Sequence, residues 1–248
     1  MPHSPAEARF LSTYEPGRYP GVALRVDLAV VTVLEGVLQV VTYTRSRHPF
    51  QSFEALPGEF VRPHESLDHA AQRVLDTRLG LSSAVLEQLY TFGAPARDPR
   101  MRVISSAWVG LVPPAALEDL APGVHLRPLV VAWPGETGGP AQVLAPDGKP
   151  SLLAFDHADM LGLLVQRLRG KLRYAPIATS LLPETFTLRA LRGVHEAVLG
   201  RSLNKDSFRR SVLARGELTP TGALQQGVGH RPAALYRRQD REEAPWPR

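Results

Sequence analysis

The sequence contains no cysteine among its 248 residues. This absence excludes a disulfide framework, a thiolate metal site and a cysteine nucleophile. No run of apolar residues is long enough to span a bilayer, and the amino-terminal segment MPHSPAEARF lacks the hydrophobic stretch of a signal peptide. We therefore expect a protein of the cytoplasm.

Negative charge is scarce in the second half of the chain. Residues 151–248 hold sixteen Lys or Arg against nine Asp or Glu, whereas residues 1–150 hold thirteen against fifteen, and the net charge is +5. The hydrophobic share of 44% and the charged share of 21% are typical of a globular protein. A basic second half favours a polyanionic partner, although a solvated basic face without a partner gives the same count.

One segment, Leu56 to Leu81, predicts a loop that leads into an amphipathic helix. Its sequence is LPGEFVRPHESLDHAAQRVLDTRLGL, and a turn signal stands near its start at Pro57–Gly58. Apolar residues then recur at helical spacing, namely Leu67, Ala70, Ala71, Val74 and Leu75. Loops followed by amphipathic helices are common, so the pattern alone indicates structure and not function.

The same segment resembles the Nudix box, a loop–helix–loop that holds a divalent metal against a diphosphate. The matching positions are Gly58, Glu65, Arg73, Leu75, Gly80 and Leu81. Val74 replaces the glutamate that follows the arginine, and Thr77 and Arg78 replace the paired glutamates that ligate the metal. Mg²⁺ needs oxygen ligands at short distances, and Arg78 adds positive charge at their place. The resemblance thus implies a Nudix scaffold with no catalytic residue, no metal ligand and no required cofactor.

Two alternatives retain catalysis. Glu54, Glu59 and Glu65 could serve as substitute metal ligands in an active hydrolase of ADP-ribose or another nucleoside diphosphate. Glu59 stands where a second glycine is often found at the start of the box. A regulator with slow residual turnover would combine both functions and would use Mg²⁺. Release of AMP from ADP-ribose with Mg²⁺, abolished by Glu65→Gln, would favour the hydrolase.

Charged loops on either side of the box supply candidate ligand-binding residues. A basic loop before the box contains Arg45 and Arg47, and a loop after it is similar to a segment of Nudix proteins that handle ADP-ribose. A guanidinium can bind phosphate through a bidentate fork, and a carboxylate can accept hydrogen bonds from ribose. The resemblance implies a ligand site of Arg45, Arg47, Glu59, Glu65, Arg97, Asp98 and Arg100. Solvation of the first loop, and an internal Arg–Asp pair that shapes the second, are the alternatives.

A helix is predicted to begin after Asp156 and to run to about Tyr174. Asp156 is its predicted cap. The preceding segment 134–150 is rich in Gly and Pro and predicts a long hairpin connection. His157 is a candidate metal ligand, but we expect a capping or packing role because no ligand set accompanies it.

The last third of the chain predicts two helices joined by a short turn. Thr187 caps a helix from Leu188 to Leu199, Gly200 ends it, and Asn204 caps the next helix. The predicted buried stripe of the second helix consists of Phe208, Val212 and Leu213. Its outer face is basic, which is typical of a helix-turn-helix whose second helix enters a major groove.

A two-stranded wing is predicted after these helices, with strands near 217–221 and 233–237. The string FTLRALRGVHEAVLGRSLNKDSFRRSVLARGEL, followed by GVGHRPAALYR, resembles the carboxy-terminal winged helix of NrtR-like Nudix-related transcriptional regulators. A helical dimerisation module with a basic surface is the alternative. The resemblance implies the α+β class, with a Nudix-like α/β/α sandwich and mixed sheet in residues 1–155. A winged helix-turn-helix domain that includes the connecting helix would occupy residues 156–248.

The resemblance also implies partners. They are a double-stranded DNA operator, a second copy of the chain in a homodimer, and ADP-ribose or a related nucleotide of NAD metabolism as effector of a repressor. The candidate DNA-binding residues are Arg201, Asn204, Lys205, Ser207, Arg209, Arg210, His230 and Arg231. Whether the effector releases or promotes DNA binding does not follow from the sequence.

Overall fold

The computed structural model describes residues 4–15, 17, 21–227 and 232–239. Its helices are α1 (Pro5–Thr13), α2 (Leu67–Val74), α3 (His157–Lys171), α4 (Leu188–Leu199) and α5 (Lys205–Ala214). Its strands are β1 (Ala23–Leu34), β2 (Val37–Thr44), β3 (Glu54–Ala55), β4 (Gly58–Phe60), β5 (Val85–Phe92), β6 (Val103–Leu111), β7 (Val124–Val131), β8 (Ala141–Leu144), β9 (Pro150–Ser151), β10 (Phe186–Thr187), β11 (Leu218–Leu224) and β12 (Ala234–Arg238). In these ranges, no helix is long and apolar enough to cross a membrane.

The larger sheet is mixed. Among the described residues it has nine strands, in the order β5–β6–β1–β2–β7–β8–β9, with β3 paired to β2 and β4 paired to β1. Strands β1 and β6 are parallel, whereas β1–β2, β2–β7 and β5–β6 are antiparallel. The β1–β2 turn lies at Glu35 and Gly36, which both have positive φ. Strands β1 and β2 therefore form a tight hairpin.

Helices cover both faces of this sheet because side chains alternate along its central strand. Val26, Leu28 and Val30 of β1 belong to the core beneath α2. Ala29 and Val31 point to the opposite face and belong to the core that contains α3. The α/β/α layering predicted for the first domain is confirmed.

Helix α3 packs closely on the larger sheet and on the loop before β8. A Cβ atom on Gly162 would lie 1.8 Å from the carbonyl oxygen of Gly139, so glycine is required where the helix crosses that loop. Strands β8 and β9 lie within or at the end of segment 134–150, where the sequence predicted only a connection. They are four and two residues long, too short for an alternating pattern to stand out among glycine and proline.

The carboxy-terminal elements form a winged helix. Strands β10, β12 and β11 make a three-stranded sheet. Both predicted caps are confirmed: Thr187 accepts a hydrogen bond from the Ala190 amide at 3.1 Å, and Asn204 accepts from the amides of Asp206 and Ser207. Gly200 ends α4 in the left-handed conformation, with φ of 68°.

The prediction that Leu213 belongs to the buried stripe of α5 is wrong. Leu213 is exposed, whereas Val212 is buried and Phe208 is half-buried. Helix α5 contacts the core along a narrow edge, so a third apolar position falls outside it. The buried cluster runs without a break from Leu164 of α3 to Leu191 of α4. The boundary placed after residue 155 therefore stays a prediction.

Candidate functional site

The loop that leads into α2 is closed by a charged pair. Glu65 Oε2 accepts a hydrogen bond from Arg73 Nε at 3.0 Å. Its Oε1 accepts from the Arg62 amide at 2.7 Å and from Arg73 Nη2. The hydrogen bonds from Arg73 are the main cause that lowers the pKa of Glu65 to about 2. Both carboxylate oxygens of Glu65 therefore already hold this loop against the helix.

A second charged pair lies at the far end of the same helix. Helix α2 continues into a π-helical turn, Leu75–Leu79, which Gly80 ends with φ of 74°. In this turn Thr77 donates its hydroxyl to the Arg73 carbonyl at 2.7 Å, and Arg78 donates through Nε and Nη2 to Glu59 Oε1. The Arg78 side chain is 57% exposed and that of Glu59 is 28% exposed.

Glu54, the third candidate metal ligand, is occupied elsewhere. It is buried and accepts hydrogen bonds from Thr42 Oγ1 at 2.5 Å, Thr44 Oγ1 at 3.1 Å and Arg127 Nη2 at 3.2 Å. Within the described part of the chain, no group of three or more His, Asp or Glu side chains is arranged to hold a metal ion. The donor set of this cleft therefore does not fit the hard cation that the Nudix box holds.

The loop between β5 and β6 divides its charged residues into two pairs. The Arg97 side chain is 2% exposed, and its Nε and Nη2 donate to the Asp156 carboxylate at 2.8 and 2.6 Å. Arg100 donates through Nε and Nη2 to Asp98 at 2.9 and 2.7 Å. Its side chain remains 43% exposed. Arg97 thus links the loop to α3, and Arg100 is the guanidinium that this loop presents to solvent.

Asp156 stands at the cap position of α3 without capping it. Its side chain makes no cap hydrogen bond, because the carboxylate binds Arg97 instead. The predicted cap is corrected on this point. His157 packs as expected: it is 1% exposed, and its Nδ1 accepts from the Leu56 amide at 3.0 Å.

A buried carboxylate organises the base of the cleft. Asp27 accepts from Arg25 Nε at 2.6 Å and from Ser105 Oγ at 2.7 Å, and Arg97 Nη2 lies 3.6 Å away. Burial alone would raise the pKa of Asp27, but Arg25, His157 and Ser105 together hold it below its ordinary value. A Cβ atom on Gly58 would lie 2.2 Å from Asp27 Oδ1, so glycine is required where the box loop passes over this carboxylate.

Aromatic and cationic groups form one rim of the cleft. The Phe155 ring has the Arg45 guanidinium 4.9 Å from its centroid and the Arg100 guanidinium 5.8 Å away, and Phe50 packs on its edge at 4.8 Å. Arg45 also donates through Nε to the Pro49 carbonyl at 2.8 Å. Arg47 lies exposed in the same loop. Arg45 and Arg100, which the sequence placed in one ligand site, thus both lie against the Phe155 ring.

The predicted DNA-binding residues that the structure describes lie on α5 and on the turn before it. The side chains of Arg201, Asn204, Lys205, Ser207, Arg209 and Arg210 are exposed. The turn between α4 and α5 is fixed by Glu196, whose Oε1 accepts from the Leu203 amide at 2.8 Å. His230 and Arg231 lie outside the described residues.

A groove beside α5 contains two basic residues that the sequence did not single out. It encloses about 630 Å³ between α4, α5 and β12, and its charged lining residues are Arg189, Arg192, Lys205 and Arg209. Among the described residues, no acidic side chain lines it. Arg192 Nε is buried without a hydrogen-bond partner in the described part of the chain, 3.6 Å from Glu196. The sequence could have indicated Arg189 and Arg192, because they are three residues apart on α4 and lie on the side opposite its buried stripe.

The winged helix also matches a known family. Residues 178–238 match the family described as the NrtR DNA-binding winged helix domain. The whole chain is similar to the ADPR responsive transcriptional repressor NtrR of Acinetobacter baylyi. The two are 34% identical over 235 residues, which cover 94% of this chain and 88% of that protein.

Two solved structures extend the likeness to both halves of the chain. One is Shewanella oneidensis NrtR complexed with a 27mer DNA, with a TM-score of 0.73 and 30% identity over 87% of this chain and 93% of that one. The other is the Nudix domain of Shewanella oneidensis NrtR complexed with ADP ribose, with a TM-score of 0.50 and 26% identity over 65% and 98%. A Nudix domain followed by a winged helix, the predicted fold, is confirmed.

Proposed function

This chain belongs to the NrtR family of Nudix-related transcriptional regulators, and from that membership we propose that it is a DNA-binding repressor whose Nudix domain senses ADP-ribose. The winged helix binds operator DNA, and the Nudix domain binds the nucleotide without cleaving it. The observation that carries this proposal is the basic, exposed face of α5, which is attached through α3 to a Nudix cleft that lacks a metal-ligand set.

Helix α5 is the recognition helix in this proposal. Its side chains Lys205, Ser207, Arg209 and Arg210 are exposed, and Ser207 and Arg210 lie on the side of the helix opposite the buried Val212. Arginine can read guanine edges through its fork, and lysine and serine can bind bases or phosphates. The Asn204 side chain caps α5, so its principal contribution is the direction in which this helix leaves the turn.

The groove between α4, α5 and β12 binds one strand of the DNA backbone. Its four basic side chains give the positive potential that phosphates require. Arg189 lies beside the amino-terminal end of α4, where the helix dipole adds to that potential. Phosphate contacts of this kind fix the position of the winged helix without reading sequence.

The ligand occupies the Nudix cleft. The exposed guanidinium of Arg100, the ring of Phe155 and the neighbouring Arg45 offer both charge and an aromatic surface to a nucleotide. Glu59, Glu65, Arg97 and Asp98 shape this site through the ion pairs described above. Glu54, Glu59 and Glu65 do not form a shared ligand set, so the proposal includes neither hydrolysis nor a required cofactor.

The proposal also includes a homodimer and a cytoplasmic location. A homodimer would place two α5 helices about 34 Å apart, one helical turn of DNA, and would bind a palindromic operator. The protein acts in the cytoplasm, where a repressor of this family meets its operator.

Fluorescence anisotropy tests the proposal. The full-length protein is titrated into labelled DNA from upstream of its own and neighbouring genes across a salt series, with and without ADP-ribose. We expect one fragment to bind more tightly than random duplex, with salt-dependent affinity that ADP-ribose changes. Equal affinity for all duplexes would contradict a role as a specific repressor, and magnesium-dependent release of AMP from ADP-ribose would support a hydrolase.

A further inference from the structure

The three glutamates considered as substitute metal ligands are committed to ion pairs and hydrogen bonds. Glu65 binds Arg73, Glu59 binds Arg78, and Glu54 binds Thr42, Thr44 and Arg127 on the neighbouring strands. A divalent cation would have to break two of these arrangements to gain the oxygen ligands it needs. The box therefore has no ready place for a metal ion, yet a diphosphate still requires positive charge.

Arg78 supplies a positive charge at the end of the box helix. It stands at a position where the Nudix box has a metal-binding glutamate, so the charge at this place is reversed. Its fork, Nε and Nη2, donates to a single oxygen of Glu59. A diphosphate offers oxygens to both arms of such a fork, and its two phosphates together carry more negative charge than one carboxylate.

The Arg78–Glu59 pair is also more exposed than the other pair of the box. The two side chains are 57% and 28% exposed, whereas those of Arg73 and Glu65 are 16% and 12% exposed. Solvent screens an exposed pair, so exchanging its carboxylate for a phosphate requires little free energy. Arg78 can therefore leave Glu59, whereas Arg73 stays bound to Glu65 of the loop.

Arg78 and Glu59 border the cleft that contains the other cations. Strand β4, which carries Glu59, pairs with β1 opposite Val26, and the neighbouring Arg25 donates to Asp27 at 2.6 Å. Asp27 lies 3.6 Å from Arg97 in the loop that carries Arg100, and Arg100 lies over Phe155. A nucleotide between Phe155 and the box helix would thus meet Arg100 at one end and Arg78 at the other.

We propose that Arg78 replaces the divalent metal in this protein: its guanidinium moves from Glu59 to the diphosphate of the bound nucleotide, and binding needs no metal ion. This inference deepens the proposed function and rests on it. It predicts that the affinity for ADP-ribose is the same in EDTA and in Mg²⁺, and that it depends on the charge at position 78.

Isothermal titration calorimetry with ADP-ribose tests this inference on the full-length protein. Wild type, Arg78→Ala and Arg78→Glu are each titrated in EDTA and in Mg²⁺. We expect wild type to bind equally well under both conditions. Arg78→Ala should bind about ten- to a hundredfold more weakly, the effect of losing one charged hydrogen-bonded pair, and Arg78→Glu should be weaker still in EDTA.

Lys149→Ala is the matched control, because Lys149 forms an exposed ion pair with Asp147 on the turn before β9, outside the cleft. It should bind ADP-ribose as wild type does. Anisotropy with operator DNA in the absence of ADP-ribose checks that each variant is folded.

Three results would overturn the inference. Wild-type binding that requires Mg²⁺, or Arg78→Ala binding as tight as that of wild type, would remove the role of Arg78 and leave ADP-ribose sensing intact. A wild-type protein that binds no ADP-ribose under either condition would overturn the proposed ligand, and the inference with it.

Discussion

His157 is buried where the Nudix domain meets the first turn of α3. Its Nδ1 accepts from the Leu56 amide, and its Nε2 lies 3.9 Å from Asp27 with no hydrogen-bond partner in the described part of the chain. Burial lowers the pKa of His157 to about 4, although Asp27 opposes that shift. The imidazole is therefore neutral in the folded protein at neutral pH.

Because His157 is buried in its neutral form, we expect the protein to lose stability in mild acid. An unfolded histidine has a pKa of about 6.5, so between about pH 6.5 and 4 the unfolded chain binds more protons than the folded one. Stability is fully present above this window and falls as the pH falls through it. From pH 7 to pH 5 we expect His157 to reduce the free energy of unfolding by about 2 kcal/mol.

His157→Asn checks this prediction, because the asparagine oxygen can still accept from the Leu56 amide and does not titrate. Urea unfolding of wild type and variant is compared at pH 7 and pH 5. The variant should lose less stability between the two values than wild type does. Burial also lowers the pKa of His195, so the free energy of unfolding of His157→Asn should still fall with falling pH because of this second histidine. An unchanged slope in His157→Asn would contradict this assignment.

At the scale of elements, the proposed function assigns a different kind of DNA contact to α4 and to α5. Arg189→Gln on α4 should weaken binding to operator and random duplex alike and reduce the salt slope by about one unit, because it removes one phosphate contact.

Arg210→Ala on α5 should weaken operator binding by about 1–3 kcal/mol if it contacts a base, and should relax specificity at one position. Anisotropy against both duplexes across a salt series separates the two. Unchanged operator affinity of Arg210→Ala at physiological salt would count against α5 as the recognition helix.

Local signals explain which elements the sequence could predict. Thr187, Gly200 and Asn204 act within a few residues of their own positions, so their identities mark the ends of α4 and the start of α5. The continuous run of apolar and β-branched residues in β1 is likewise a local signal, typical of a strand buried on both faces. Strand β8 has neither signal, and its place in the sheet depends on β7 and β9.

The candidate sites depend on partners that are distant in sequence, and there prediction was weaker. Asp156 has the residue type and position of a cap, but Arg97, 59 residues earlier, binds its carboxylate. Arg169 looks like one of several surface arginines near the end of α3, yet it is 6% exposed. Periodicity identifies the helix and the side it buries but does not show which distant groups meet a charged side chain.

At the scale of the molecule, α3 connects the Nudix cleft to the winged helix. Arg97 from the loop that carries Arg100 binds Asp156 at the start of α3. Near the other end, Arg169 donates to the carbonyls of Val198 at 2.9 Å, Trp133 at 3.2 Å and Gly135 at 2.7 Å. The helix has fifteen residues and is therefore about 22 Å long. A shift of the β5–β6 loop on nucleotide binding would reach α4 through this rod.

Arg169→Lys tests that connection. Lysine cannot reproduce a fork that binds three carbonyls, so we expect a lower unfolding temperature and a smaller effect of ADP-ribose on DNA affinity. Both quantities are measured on the same preparation, by thermal unfolding and by anisotropy. Arg173→Ala is the control, since Arg173 lies just after the end of α3 and pairs with Glu136 but is 78% exposed. Full coupling in a destabilised Arg169→Lys variant would show that this contact serves stability alone.

The central claim is that nucleotide binding and DNA binding are coupled in one molecule. It is tested most directly by measuring the affinity for ADP-ribose with and without saturating operator DNA, and the affinity for DNA with and without saturating ADP-ribose, at one salt concentration. Linkage requires both affinities to change by the same factor, and we predict a factor between about 5 and 150. If both ligands bind and neither affinity responds to the other ligand, the two domains act independently and the account is contradicted.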